Sequence, residues 1–145
     1  MRALLDVNVL IALHDPLHIH HAHAANWLEA HADAGWATCP LTQNGCLRVM
    51  SQASYSHPRT LAELMPALAT SCTSRLHVFW PDDISLLDAG RLTPDRVHGH
   101  RQLTDLYLLA LAVHHRGRFV SFDARVPLDA VAGARRAHMV TLLSV

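Results

Sequence analysis

An α/β fold is the class this sequence predicts, with a mainly parallel central sheet of four to five strands and helices on both faces. Short apolar runs of strand length alternate with longer stretches of helical periodicity along the 145 residues. Two of the strand-like runs end alike, LLD at 4–6 and VSFD at 120–123, each on an aspartate. No repeat, linker or low-complexity tract divides the chain beyond a histidine-rich segment, and the length suits a single domain, taken as residues 1–145.

The elements follow in order. Residues 2–6 are the first strand, with Leu4 and Leu5 apolar. Residues 7–13 continue as a short helix that Asp15-Pro16 breaks, because a residue before proline is driven out of the helical region. Residues 21–32 read as a helix with Ala22, Ala25, Trp27 and Leu28 at its apolar positions, and Gly35 ends it. The second strand covers 36–39, and Pro40 stops it. Residues 42–51 are helical, with Leu47, Val49 and Met50 apolar, and 54–59 are a loop. Residues 60–71 are a helix with Leu61, Leu64 and Leu68 along one side. A third strand at 77–80 leads through a turn at 81–83 to a short helix over 84–89. Residues 102–115 are a strongly apolar, central helix that Gly117 ends. The fourth and fifth strands cover 118–122 and 139–143. The pattern leaves the strand order open.

Composition excludes several function classes. Twelve arginines balance twelve acidic residues, and there is no lysine. A basic nucleic-acid coat is therefore absent, and phosphate binding needs local arginines or bound cations. The all-arginine set also follows from a GC-rich genome. Half of the residues are hydrophobic, enough for a sizeable core. No apolar run approaches the roughly 18 residues that cross a bilayer. Asp6 and Asn8 interrupt the apolar start, and no small-residue cleavage pattern follows, so a cytoplasmic protein without membrane contact is expected. Cys39, Cys46 and Cys72 are odd in number and form no CxxC, which points neither to a disulfide framework nor to a zinc knuckle. Patterns for nucleotide-binding loops and serine nucleophile elbows are missing.

The two aspartates carry the chemistry. In a parallel sheet, ligands bind at the carboxyl ends of the strands. Asp6 and Asp123 would share that edge, with Asp105 in the first turn of the central helix and Gln43 and Asn44 after the second strand. Each aspartate alone reads as a turn former or a cap. Three carboxylates together repel, and they either take up protons or hold a divalent cation. Oxygen ligands without cysteine suit Mg²⁺ or Mn²⁺. Such a cluster can carry phosphodiester hydrolysis.

The stretches LLDVNVLIAL (4–13), CPLTQNGCLRVMS (39–51), FWPDD (79–83), GHRQLTDLYLLALA (99–112) and VSFD (120–123) together resemble the PIN-domain family, and within it the VapC-type toxins of bacterial toxin–antitoxin pairs. The resemblance implies a three-layer α/β/α sandwich and a Mg²⁺- or Mn²⁺-dependent endoribonuclease. It also implies a structured cellular RNA substrate such as tRNA or rRNA, an antitoxin partner and a homodimer. Asp6, Asp105 and Asp123 match the family's acidic metal-binding residues. Asn8, Thr104 and Ser121 match polar neighbours that bond the carboxylates or the phosphate. Arg48 lies where related toxins often carry arginine, to touch RNA or to pair with an acid. Gln43 stands at the position read as the family's usual glutamate. The site then works with three aspartates and an amide, or it is impaired and the protein acts by binding RNA or antitoxin.

A rival feature is the segment carrying His14, His18, His20, His21, His23 and His31. It suggests a transition-metal site or a pH sensor. The spacing favours a solvated helix entrance instead, since Pro16 interrupts it and no HExxH is present. His98, His100 and Arg101 read as an exposed loop near Asp105. His114 and His115 read as structural residues at a helix end. Trp27, Trp36, Phe79 and Trp80 read as core or dimer contacts.

Overall fold

The structure is a computed structural model that describes residues 1–143. Its strands are β1 (Ala3–Leu5), β2 (Trp36–Thr38), β3 (His77–Phe79), β4 (Arg118–Ser121) and β5 (Met139–Thr141). Its helices are α1 (Val7–His14), α2 (His21–Ala30), α3 (Pro40–Met50), α4 (Leu61–Ser71) and α5 (Leu103–His114). No helix is long and apolar enough to cross a membrane among the described residues.

The five strands form one sheet in the order β3-β2-β1-β4-β5, and every pairing is parallel. Leu4 lies between Ala37 and Phe119, and Leu5 pairs with Val120. After β1 the chain winds outward to one side; at β4 it begins again on the other. The gap between β1 and β4 is therefore the switch point of the sheet, where open parallel sheets bind ligands. Alternate residues of each strand face opposite layers. Ala3, Leu5, Trp36 and Val120 pack into a core with residues of α1 to α4, whereas Leu4, Ala37 and Phe119 pack against Leu106, Leu109 and neighbours on α5. This is a three-layer α/β/α sandwich, as expected.

Gly35, Gly45 and Gly117 permit close approaches, and the first two bear on the sheet and on α1. Gly35 has φ +76°, and a Cβ there would fall 2.3 Å from Arg2 Nη1. The Arg2 guanidinium occupies that space and donates to the Leu76 carbonyl at 2.7 Å and the Trp36 carbonyl at 3.3 Å, which ties the start of β1 to β2 and β3. Gly45 sits inside α3, where a Cβ would fall 2.5 Å from Val7 Cγ2. The missing side chain lets α3 lie against the first turn of α1.

Several expectations need correction. Residues 84–89 are turns and not a helix. The Asp88 carboxylate accepts from the Ser85 amide at 3.1 Å, and the Ser85 hydroxyl accepts from the Leu87 amide at 3.0 Å. Side chains that take up local backbone donors in this way compete with helix formation. Pro40 does more than stop a strand: it opens α3 at the first helical position, where its missing N–H costs nothing. In α2 the buried residue is Ala24, while Ala22 is exposed. Leu61 begins α4 and is exposed, so only Leu64 and Leu68 of the expected trio are buried. Trp36 and Trp80 are buried, but Phe79 lies exposed on the edge strand. The strands are also shorter than read, with β2 ending at Thr38, β4 at Ser121 and β5 at Thr141.

The loop after α1 is fixed by a buried carboxylate. Asp15 accepts from the Leu17 amide at 3.0 Å, the Tyr55 hydroxyl at 2.5 Å and His57 Nδ1 at 3.0 Å. Burial works to raise its pKa, but these hydrogen bonds outweigh burial and hold it below the ordinary value. Tyr55→Phe is expected to cost about 1–3 kcal/mol, the usual effect of leaving a buried charged acceptor short of a bond, measured by urea denaturation. A carboxyl with a lowered folded pKa stabilises above its unfolded pKa, about 3.9, and that stability is lost as pH falls through the folded value. Asp15→Asn is thus expected to flatten the acid limb of stability below about pH 4. Gly45→Ala sets a gain of about 1 kcal/mol in helix propensity against about 1–3 kcal/mol of overpacking on Val7, and net destabilisation is expected in the same assay.

Candidate active site at the sheet switch point

Asp6 is the first residue beyond β1 and the N-cap of α1. Its backbone amide donates to the Val120 carbonyl at 2.9 Å, so the carboxylate leaves the sheet at the β1–β4 seam. Both carboxylate oxygens are engaged. Oδ1 accepts from the Val7 amide at 2.7 Å, and Oδ2 accepts from the Ser121 hydroxyl at 2.7 Å. Ser121 ends β4 and is fully buried. Its single proton goes to Asp6, so its oxygen accepts from Asn8 Nδ2 and from the Ala124 amide, both at 3.2 Å.

Asn8, in the first turn of α1, completes the link. Its Nδ2 donates to Asp123 Oδ1 at 2.9 Å, and its Oδ1 accepts from the Phe122 amide at 3.3 Å. One amide therefore holds Asp123 while it fixes the backbone after β4. Asp105 reaches the same region from the first turn of α5. Burial, followed by the charges of Asp6 and Asp123, pushes its pKa up to about 6. Asp6 is raised too, by burial first and by Asp123 last, against the bonds from Ser121 and Val7. Asp105 thus feels the charges of Asp6 and Asp123, and Asp6 feels that of Asp123. No arginine or histidine forms an ion pair with any of them among the described residues. Their oxygens are nevertheless not all within 4.8 Å of one another.

An uncompensated, partly buried set of carboxylates fits a hard divalent cation, which would cancel the repulsion that raises Asp105. Asp6, Asp105 and Asp123 are the residues that could hold one.

The other expected residues are placed differently. Gln43 is not bonded to any of the three carboxylates. Its Nε2 donates to Thr38 Oγ1 at 3.0 Å, and the residue lines a groove of about 450 Å³ with Asn44, Leu47 and the α4 residues Met65 and Leu68. The α3 residue that packs on the start of α1 is Gly45, which the sequence reading missed; a glycine in a helix interior was its only signal. Thr104 is exposed and its side chain makes no hydrogen bond among the described residues. Arg48 is exposed near the end of α3 and pairs with no acid among the described residues.

The histidine-rich segment divides into two groups. His14 bridges the Leu10 carbonyl and Ser71 Oγ, both at 2.8 Å, while His21 and His31 bond the carbonyls of Ala12 and Trp27 at 2.7 Å. His18, His20 and His23 instead surround the Phe122 ring, with centroids 6.5, 5.0 and 6.1 Å away. The segment is thus more packed than a solvated entrance, and it borders the residue before Asp123. Among the described residues it holds no trio of ligand atoms spaced for a metal.

Residues 3–134 match the family model described as PIN domain. The chain is similar to Ribonuclease VapC44 of Mycobacterium tuberculosis (strain ATCC 25618 / H37Rv), with 48% identity over 142 residues, 98% of this chain and 100% of the relative. It is 44% identical over 134 residues to Ribonuclease VapC39 of the same strain, covering 92% of this chain and 96% of the relative. Ribonuclease VapC29, also of that strain, is 45% identical over 124 residues, 86% and 87% of the two chains.

Ser121→Ala is expected to remove the donor to Asp6 and the acceptor for Asn8 at once. A loss of about 1–3 kcal/mol in urea denaturation is the expected outcome, since a buried carboxylate loses a partner.

Proposed function

This chain belongs to the PIN-domain family, and on that premise we propose that it is a metal-dependent endoribonuclease toxin of VapC type, hydrolysing RNA at Asp6, Asp105 and Asp123. The observation that carries the proposal is the uncompensated carboxylate cluster at the β1–β4 switch point, with two of its members locked by Ser121 and Asn8. A bound Mg²⁺ or Mn²⁺ would supply charge neutralisation at the phosphate and an acidified water.

The chain's own residues supply order. Ser121 and the Val7 amide fix Asp6, so its orientation does not depend on the ligand. Asn8 aims Asp123 from the other side of the seam. Asp105 joins them from the first turn of α5 as the third carboxylate available to the cation or to the attacking water. Arg48 and Thr104 are exposed and available to the RNA backbone. With equal numbers of acids and arginines, recognition of RNA rests on such local contacts rather than on net charge. A structured RNA such as tRNA or rRNA, a cognate antitoxin, a homodimer and a cytoplasmic setting belong to the same proposal.

The reading of an impaired site at Gln43 is not favoured. That side chain is engaged with Thr38, and a missing charge there removes nothing from the three aspartates.

The test is cleavage of labelled total RNA by antitoxin-free protein with Mg²⁺, Mn²⁺ or EDTA. Cutting is expected with either metal and not with EDTA. Asp6→Ala is expected to lower the rate by about 10²–10³, equivalent to roughly 3–4 kcal/mol of transition-state stabilisation. Gln43→Glu is expected to change the rate less than about threefold, under 1 kcal/mol. Cutting only after Gln43→Glu would transfer the case to the binding reading.

A further inference from the structure

The three ligand atoms that come closest together in a metal-binding set lie away from the three aspartates. Asp83 follows β3, and His114 and His115 end α5. Asp83 Oδ1 is 3.0 Å from His115 Nε2, and Asp83 Oδ2 is 3.7 Å from His114 Nε2. All three residues offer a donor atom within 4.8 Å of the others. Ligands at about 2.0–2.1 Å from a tetrahedral zinc ion are separated by about 3.3 Å, and each imidazole Nε2 lies near that distance from one oxygen of the Asp83 carboxylate. An ion pair needs only one histidine. Here both adjacent imidazoles turn toward the same carboxylate, with ring centroids 5.0 Å apart.

We propose that Asp83, His114 and His115 form a second metal site, selective for a borderline transition ion of the Zn²⁺ type rather than Mg²⁺. Two imidazoles and one carboxylate suit such ions, while Mg²⁺ prefers oxygen ligands alone. Three protein ligands leave a position open to water or to a further ligand.

The surroundings hold the ligands in place. The Trp80 indole is stacked on His115 at 4.7 Å and 11°, which fixes the ring plane. The Tyr107 hydroxyl donates to Asp82 at 2.8 Å, which anchors the segment carrying Asp83 to α5. Asp88 lies near enough to His114 to feel its charge, but its carboxylate is taken by Arg91 at 3.1 Å. His114 is nine residues from Asp105 on the same helix, about 14 Å along its axis. The two sites therefore share α5 without sharing a ligand. Metal at the second site would clamp the 80–83 segment onto the helix that carries Asp105.

The experiment is calorimetric titration of chelator-treated full-length protein with Zn²⁺, joined to Co²⁺ titration read by d–d absorption and tryptophan quenching. One equivalent is expected to bind, with a tetrahedral or five-coordinate cobalt spectrum and a rise in Tm. Asp83→Asn and His114→Ala, both at exposed positions, are expected each to weaken binding by about tenfold or more. A variant combining Asp6→Asn, Asp105→Asn and Asp123→Asn is expected to bind Zn²⁺ as before, as is one combining His18→Ala, His20→Ala and His23→Ala. The proposal is overturned if Zn²⁺ does not bind, if Asp83→Asn and His114→Ala leave affinity unchanged, or if either triple variant abolishes the tight equivalent. None of these readouts depends on nuclease activity.

Discussion

The hydrogen bond from Ser121 to Asp6 is the constraint around which the rest is arranged. A carboxylate at the end of the central strand is buried, and burial without partners would be prohibitive. The strand itself cannot supply them, because its backbone groups are committed to β2 and β4. The partners come from the next turn of chain, where Val7 begins a helix, and from the end of the neighbouring strand. The start of α1, the end of β4 and the pairing of β1 with β4 are thus coupled through one side chain. Once Ser121 gives its proton to Asp6, it must accept elsewhere, and this fixes Asn8 and through it Asp123.

Much of this was legible in the sequence. An aspartate at the end of an apolar strand stands out because it is costly there, and a second strand ending alike doubles the signal. Parallel pairing then puts Asp6 and Asp123 on one edge whatever the strand order. Asp105 was legible for another reason, as an acid in the first turn of a helix that is apolar elsewhere. The strand order itself depends on how helices cross the sheet, and no residue pattern records that.

The rest depended on tertiary packing. Which side of α3 faces the aspartates is decided by contact between Gly45 and Val7, so Gln43 two residues earlier falls on the side of β2 and α4. The segment 84–89 has helix-forming leucines, but Ser85 and Asp88 capture the local amides. The histidines between 14 and 31 looked like a polar surface. Three of them instead use Phe122 as an apolar floor, and that residue comes from the far end of the sequence.

The link across the β1–β4 seam also governs when the centre can exist. Asn8 and Asp123 are 115 residues apart, as are Asp6 and Ser121. Contacts of such separation carry a large loop-closure cost and form late in folding. During vectorial synthesis the first strand, α1 and the whole α3–α4 layer leave the ribosome before β4 is available to close the seam. A chain still being translated therefore carries Asp6 without Ser121 or Asp123. Under the proposed function, cleavage waits until β4 has emerged, because a chain that stops before residue 121 lacks both Ser121 and Asp123.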